Sequence, residues 1–526
     1  MLVSTQHQKL ILNLRDHERI LNLIPSARGF QYKGHTLVSV PHRLDEVRVL
    51  RNLGLDAPSP MAYYYDWPGR HKPFAHQKIT SEFMVQNPRA FVLNGLGSGK
   101  TLSALWAYDY LKKMKLVRKM LVISPLSTLE RAWGDEIYMN FPHLNFAVLH
   151  GTRERRHKLL ATSADIYLIN HDGFKHNETI AQLCMKPEID IVLIDEIASF
   201  RNAQTDRFRF LNALVNGNPQ KQRPPKIWVW GMSGTPTPNS PTDAHAQVKL
   251  IMPRNVPRAF TAFRDEVLHQ VGPYRWVPRA GAAQTVARVM QPAIRFATRD
   301  CIDLPPTTFV TRETSLTAEQ KKAFDEMMRN FKTEAANGTI TAANAAIKLS
   351  KLLQICCGVA YGTEGEVHIP AHPRVALVKE LIEESEGKVL VFVPLTAPLL
   401  WVAEELRTEY GQEEVEVVYG DVTKHQRDVI FGNFQRTENP RVIVANPGTL
   451  SHGLTLTEAS TTIWYAPIHS NDIYQQANGR TVRPGQQRTT LIANIEATAI
   501  ERAVYTALRN RQSLQTVLLD AVKDYK

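Results

Sequence analysis

Three short strings concentrate most of the side chains able to do chemistry. In FVLNGLGSGKT, residues 91–101, an apolar run enters a glycine-rich turn and leaves it into the helix-compatible TLSALWAYDYL. Gly95, Gly97, Ser98 and Gly99 let backbone N–H groups converge on phosphate oxygens, Lys100 neutralises the terminal phosphates and Thr101 offers magnesium a hydroxyl. This is a phosphate-binding loop, with Asn94 standing where the strict spacing has its first glycine. In IDIVLIDEIASF a second apolar run ends in Asp195, placed to hold magnesium through water, and Glu196, placed to orient or deprotonate an attacking water. In DIYQQANGRTVRPGQQRTT, Gln476, Gly479, Arg480 and Arg483 recur at the spacing of one helical face, from which two guanidinium groups can reach a γ-phosphate. Each string has a plain alternative: a glycine turn, a buried strand that ends in acids, a solvated basic face. Their succession in one chain favours the chemical reading.

Those strings need elements to hold them. FVLNG, MLVISP, IYLIN, IVLIDE and IWVWGMSG are short apolar runs separated by helix-compatible stretches, the pattern of a parallel sheet covered by helices. VLVFVP, VEVVYG, VIVANP, TTIWYA and TLIANI repeat it later in the chain. The expected fold is α/β, with two lobes in tandem over residues 71–300 and 301–526 and a helical insertion at 317–355. Residues 1–55 read as a small α+β unit. It has a helix capped by Asp16 that carries Ile20, Leu21 and Leu23, two short strands about Lys33-Gly34, and a helix from His42 to Leu53 with Leu44, Val47 and Leu50 on one face. Residues 56–70, with Pro58, Pro60 and Pro68, read as a linker.

Composition narrows the class. With 526 residues, 43% apolar and 22% charged, the chain is ordinary globular material rather than a disordered or fibrous one. Lys plus Arg at 63 against Asp plus Glu at 51 leaves +12, which favours a polyanionic partner, nucleic acid first. The cysteines Cys184, Cys301, Cys356 and Cys357 have neither C-x-x-C nor Cys/His spacing, so reduced thiols and no structural metal are expected. The most apolar window, Val389 to Ala403, contains Pro394 and Pro398 and is too short to span a bilayer, and the N-terminus lacks a secretory signal. A cytoplasmic location in a bacterium or a virus-infected cell is expected, or a nuclear one in a eukaryote.

In this order, the strings resemble superfamily 2 helicases and translocases, and within them the Swi/Snf-type DNA translocases, over about residues 71–520. FAHQ with Gln77 is similar to the glutamine motif that reads adenine. SPLSTLERAW, with Ser124, Pro125 and Leu126, resembles motif Ia, which grips a strand, and NHDGF with Asn170 falls where motif Ib does. GMSGTPTPN, with Ser233, Gly234, Thr235 and Pro236, resembles motif III. LSKLLQICCG and VVYGDVTKHQRDVIFGNF resemble segments of the second lobe, ANPGTLSHGLTLTEAS resembles motif V, and GRTVRPGQ completes motif VI. The resemblance implies two RecA-like lobes with ATP and Mg2+ between them, nucleotide contacts at Gly453 and Gln476, arginine fingers at Arg480 and Arg483, and a strand contact at Thr449. One departure stands out. The family's acids continue as Asp-Glu-Ala-His, whereas here Ile197 and Ala198 follow, so the histidine's coupling role is either missing or reassigned, with Ser199 or a residue of lobe two as the candidate substitute. The P-loop lysine, the metal ligands and both arginines are kept, and hydrolysis is expected to survive.

IPSARGFQYKGHTLVSVPHRLDEVRVLRNLGL resembles the small HARP-type modules of annealing helicases. In that reading Phe30 and Tyr32 stack on exposed bases while Arg28, Lys33, Arg43 and Arg48 meet phosphates; in the alternative, the aromatics form the module's own core. The run RERRHK, residues 153–158, is expected as a solvated helix face. The resemblance implies an ATP-driven translocase on duplex, forked or four-way DNA. Its work would be fork remodelling, branch migration or reannealing, in DNA repair, recombination or replication. An enzyme that unwinds RNA or duplex DNA, and a nucleotide-gated DNA clamp with weak hydrolysis, are the alternatives.

Overall fold

The computed structural model describes residues 1–175, 189–217, 227–272, 275–297, 301, 305–336, 342–362, 365–450, 455–483 and 485–510. Its contacts form two units: Met1–Gly234 with Ala246–Asn255 and Val289–Ala297, and Thr235–His245 with Val256–Arg288 and the chain from Thr298 onward. The division is therefore not a single cut near residue 300, because the chain changes unit first at Gly234.

In the first unit, strands β1 (Leu2–Ser4), β2 (Lys9–Leu12), β3 (Arg28–Tyr32) and β4 (His35–Pro41) form an antiparallel sheet in the order β1-β2-β4-β3. Asp16 accepts the N–H of Arg19 at 3.3 Å and starts the helix His17–Leu23. Lys33 and Gly34, at φ 47° and 80°, make the two-residue turn that joins β3 to β4. The helix Leu44–Asn52 buries Leu44, Val47 and Leu50, the face the spacing predicts. The expectation misses β1 and β2, whose residues are held by pairing across the sheet rather than by a strong local pattern.

Residues 56–70 are an ordered strap. They contain the helix Pro60–Tyr64, capped by Ser59, and an aromatic cluster in which Tyr65 meets Trp67 and Tyr110 at 5.2 and 5.6 Å. The Tyr65 hydroxyl donates to the buried Asp109 at 2.6 Å. Arg48 corrects an expectation: it donates to the carbonyls of Val85 and Gln86 at 2.7 and 3.2 Å and lies over the Trp228 ring. Those carbonyls close the helix Ala75–Gln86, and a helix C-terminus has unsatisfied acceptors and negative potential. Arg48 therefore docks the small module instead of facing a phosphate.

The large sheet of this unit takes β5 (Arg89–Val92), β6 (Lys119–Ser124), β7 (Phe146–Val148), β8 (Ile166–Asn170), β9 (Ile189–Asp195) and β10 (Trp228–Met232). A hairpin of β11 (Leu268–Gly272) and β12 (Arg275–Pro278) belongs to the second unit, and β13 (Ala293–Ile294) returns to complete the parallel order β13-β5-β10-β9-β6-β8-β7. Ala90, Val92, Met120, Val122, Leu193 and Trp230 pack with the helix Lys100–Lys113 in one core. Every strand that carries a predicted motif ends at the same edge, because all are parallel.

The second unit has β14 (Thr307–Glu313), the hairpin β15 (Val359–Gly362) and β16 (Gly365–His368), then β17 (Lys388–Phe392), β18 (Val415–Val418), β19 (Val442–Ala445), β20 (Ala459–Trp464) and β21 (Thr490–Glu496). Its main sheet is parallel, in the order β14-β21-β20-β17-β19-β18. Alternation along β17 sends Leu390 and Phe392 into one core and Val389 and Val391 into another, so both faces are covered. The insertion forms the helices Ala318–Ala336 and Ala342–Cys357, which add Phe324, Met328 and Leu352 to the first of those cores. Arg374 and Glu501 make a fully buried ion pair at 2.8 Å between two of the covering helices. Among the described residues no helix is long and apolar enough to cross a membrane.

Candidate nucleotide and nucleic-acid site

The phosphate loop leaves β5 at Leu93 and enters its helix at Lys100. Gly97 and Gly99 sit at φ 74° and 71°, a conformation other residues adopt only at a cost. Lys100 donates to the carbonyls of Asn94 and Gly95 at 2.9 and 3.0 Å, so its ammonium is held over the loop where phosphate oxygens would compete for it. Asn94 explains its own departure from glycine. Its Nδ2 donates to Thr80 at 2.8 Å and its Oδ1 accepts the N–H of Phe296 at 3.0 Å, so the buried side chain staples the strand end on both sides. Gly95 donates to the Phe296 carbonyl at 2.8 Å, which engages one of the amides expected to face phosphate.

Gln77 lies against this loop and is only 5% exposed. Its Oε1 accepts the N–H of Phe74 at 2.9 Å, and its Nε2 and the His76 ring both donate to the Ser98 carbonyl, at 3.4 and 2.9 Å. The residue expected to read adenine thus also braces the loop. Its neighbour Phe74 is half exposed and stacked on His76.

Asp195 ends β9, and Glu196 follows at φ 50° and ψ 55°, a left-handed conformation for a residue that has a side chain. Such backbone costs about 1–3 kcal/mol and gathers at functional sites. Ser233, at the end of β10, donates to Glu196 Oε2 at 3.3 Å, which joins the third predicted motif to the acids. Asp195 Oδ2 accepts the indole N–H of Trp133 at 3.1 Å and the Ser124 hydroxyl at 3.2 Å, while Oδ1 accepts the Glu196 N–H at 3.1 Å. Burial pushes its carboxyl up from the usual range, against the pull of the Trp133 bond, the Lys100 charge and the Ser124 bond. A divalent cation would relieve that penalty. Thr101 follows Lys100 at the start of its helix, and a single buried carboxylate completed by a hydroxyl, phosphate oxygens and water would suit Mg2+, which seldom uses an all-protein cage. Among the described residues no group of three or more His, Cys, Asp or Glu side chains is placed to hold a metal by itself. Ala198 is a buried methyl in the turn Ile197–Phe200, and His171 brings an imidazole to the string, donating to the Asp195 carbonyl at 2.8 Å with its ring edge on Phe200.

Several expected contacts move. Ser124 is wholly buried and Pro125 is buried, so of the three motif Ia residues only Leu126, 50% exposed, reaches the surface; Ser124 serves the acids instead of a strand. Asn170 ends β8 half-buried. Thr449 donates its hydroxyl to the Asn446 carbonyl at 2.7 Å, so the bond that shapes its turn competes with any phosphate. Gly453 and Leu454 lie outside the described residues. Gln476 is on the helix Asn471–Asn478, buried, with its Nε2 on Asp472 at 3.0 Å. Arg480 and Arg483 do not continue its helical face, since the helix stops at Gly479: the Arg480 N–H turns back onto Ala477, those of Thr481 and Val482 onto Asn478, and that of Arg483 onto Thr481. Arg480 is 3% exposed, and Arg483 donates to the Gly479 carbonyl at 2.8 Å.

On the N-terminal module, Phe30 and Tyr32 are 38% and 55% exposed and take no part in the core, which rules out the packing alternative for them. Alternation along β3 puts them with Arg28 on one face, while Gly29 faces Leu21. By register that face also carries Lys9, Ile11 and His35 and no carboxylate. Arg28 itself donates to the carbonyls of Pro25 and Ala27 at 2.7 and 2.8 Å. RERRHK lies in the helix Arg153–Ala161, mostly exposed.

Two parallel sheets covered by helices, the first with a P-loop and an acid pair at its strand ends, define an α/β protein of the P-loop nucleotide-binding class. The SNF2-related domain family matches residues 76–359 and the helicase conserved C-terminal domain family matches residues 373–485. The chain belongs to the SNF2-related family, of the Swi/Snf type. It is 24% identical over 450 residues to YwqA of Bacillus subtilis, whose name provisionally reads ATP-dependent helicase/translocase, with 82% of this chain and 46% of that protein covered. It is 21% identical to protein p41 of Acyrthosiphon pisum secondary endosymbiont phage 1, covering 86% of this chain and 98% of that one. It is 22% identical to Protein CHROMATIN REMODELING 4 of Arabidopsis thaliana, covering 82% of this chain and 20% of that one. It thus spans about half of YwqA and nearly all of p41. The solved Sulfolobus solfataricus SWI2/SNF2 ATPase core in complex with dsDNA covers 87% of this chain and 95% of its own, at 21% identity and a TM-score of 0.40.

Proposed function

We propose that the protein is an ATP-driven DNA translocase that works on duplex DNA and is directed to forked or branched substrates. The observation that carries the reading is the juxtaposition of the Lys100 loop with a buried Asp195 that feels the Lys100 charge, followed by Glu196. Family membership, the +12 surplus and the name of YwqA support it. Bound ATP with Mg2+ supplies the phosphoryl group for transfer to water. Lys100 would exchange its carbonyl partners for phosphate oxygens, Thr101 and Asp195 would hold the metal, and Glu196 would orient the water. We assign to Arg480 and Arg483 the charge that steadies the transferring group, a role that requires Arg480 to leave its buried position. The exposed face of Phe30, Tyr32 and Arg28 would read unpaired bases, giving selectivity for forks and junctions, and with it branch migration or reannealing.

The test is ATP turnover by the purified chain with no nucleic acid, single-stranded DNA, linear duplex, forked DNA, four-way DNA and RNA at one stated salt concentration. Stimulation by duplex that rises further on forked or four-way DNA supports the proposal. Preference for RNA replaces it with an unwinding enzyme, and binding without turnover replaces it with a nucleotide-gated clamp.

A further inference from the structure

Two strands away from β9 in the sheet, β8 ends at Asn170 and the chain turns at once through His171–Lys175. Gly173 keeps that turn tight, since an added Cβ would stand 2.6 Å from the Ile169 side chain. The turn delivers the His171 ring, 7% exposed, to the acid pair. There Nε2 meets the Asp195 carbonyl at 2.8 Å, and because a carbonyl only accepts, this nitrogen carries the proton. The ring is held edge-on to Phe200, with centroids 5.3 Å apart.

The Asp195 carbonyl and the Glu196 N–H belong to one peptide plane. Both sides of that plane are tied: the oxygen to His171, and the N–H to Asp195 Oδ1 at 3.1 Å. Its orientation sets ψ of Asp195 and φ of Glu196, and Glu196 stands at φ 50°, a left-handed value that is unfavourable for a residue with a side chain. Turning the plane over would relieve that strain. It would also re-aim the Glu196 carboxyl, because the rotamers open to a side chain follow from its φ and ψ, and would take it from the Ser233 hydroxyl. Of the two ties, the imidazole is the one anchored outside the acid pair. Ala198, in the turn that follows the acids, has only a methyl to offer.

We propose that His171 is a positioning residue that locks the Asp195–Glu196 peptide plane and thereby aims the Glu196 carboxylate at the water that attacks ATP. The role of Glu196 rests on the hydrolysis proposed above. The hold of His171 on the peptide plane does not. Since His171 acts through the backbone of the pair, it bears on the chemical step rather than on nucleotide affinity, which Lys100 and the phosphate loop supply.

His171→Phe keeps an aromatic ring against Phe200 and removes the N–H, whereas His171→Gln places an amide N–H near the position of Nε2. The full chain is assayed for kcat and KM for ATP with Mg2+ and linear duplex, and for affinity towards a fluorescent, non-hydrolysed ATP analogue. Hydrogen–deuterium exchange along β9 and the turn after it is followed without nucleotide, with thermal melting beside it. For His171→Phe the expected results are a kcat lowered about tenfold and a Glu196 amide that exchanges about tenfold faster. KM, analogue affinity, melting and exchange within β9 should stay close to wild type. His171→Gln should recover much of both losses. An unchanged kcat in His171→Phe overturns the proposal, and so does unchanged exchange at Glu196. A loss in which analogue affinity, melting and exchange along the whole of β9 change together overturns it too, since a packing defect does that, as does a Gln variant no better than Phe. Should His171→Phe fail to fold, His171→Met, which has the length of Gln without its N–H, replaces it in the comparison. If wild type turns over no ATP, the hydrolysis reading fails, and exchange at Glu196 still decides the hold of His171.

Discussion

Gly99→Ala probes whether the phosphate loop and Gln77 are one structure. Gly99 stands at φ 71° and ψ 36°, where a side chain costs about 1–2 kcal/mol. The added methyl would also overlap the Gln77 amide nitrogen. Gln77 can yield only by releasing Ser98 and straining its bond to the Phe74 N–H, each worth about 1 kcal/mol net. The sum is a destabilisation of about 3–4 kcal/mol, with weakened binding of ATP analogues because the loop must open. Urea unfolding gives the first quantity and titration of a fluorescent nucleotide the second. Gln77→Ala removes the overlapping amide, so in the double variant part of the Gly99→Ala penalty should vanish, leaving a coupling of about 1–2 kcal/mol. Strict additivity would refute the reasoning, since it would mean that the loop and the amide do not meet.

Lys100→Ala should lower DNA-stimulated ATP turnover by about 10²–10³-fold, and wild-type turnover by that variant would sink the site assignment. His42 donates through Nε2 to the Pro58 carbonyl and accepts the Tyr64 hydroxyl at Nδ1, both at 2.9 Å, and burial holds its pKa below the ordinary value. Below about pH 6.5 the unfolded chain therefore takes up a proton that the folded one resists, and stability should fall with pH there. A smaller difference between urea midpoints at pH 5.5 and 7.5 in His42→Gln would confirm the source, and an undiminished difference would place it elsewhere. Phe30→Ala with Tyr32→Ala should weaken binding to forked DNA by about 1–3 kcal/mol per lost base contact and weaken blunt duplex less; equal losses measured by anisotropy would mean that the face reads no unpaired base.

Local strings carried much of this protein's reading, because local strings are where local physics decides. A run such as FVLNGLGSGKT contains its strand, its left-handed turn and its helix start, so spacing alone identifies a phosphate loop, and short continuous apolar runs identify the strands of both large sheets except β7, β13 and β14. The helix cap at Asp16 and the turn at Lys33-Gly34 were legible for the same reason. Contacts between distant residues were not. Asn94 is tied to Phe296, Trp133 and Ser124 to Asp195, and Arg48 to the end of another helix, none with a partner marked in sequence. Motif Ia shows the consequence: a string associated with strand contact sends Ser124, at the end of β6, and Trp133, in the π-turn, inward onto Asp195, a partner that only the packed sheet supplies. Arg480 and Arg483 were read onto one helical face by spacing, but the helix ends at Gly479, and where a helix stops depends on which capping bonds the packing allows. The exposure of Phe30 and Tyr32 was likewise a tertiary decision. Either face of a strand can take aromatics, and β3 shows which one the core already occupies.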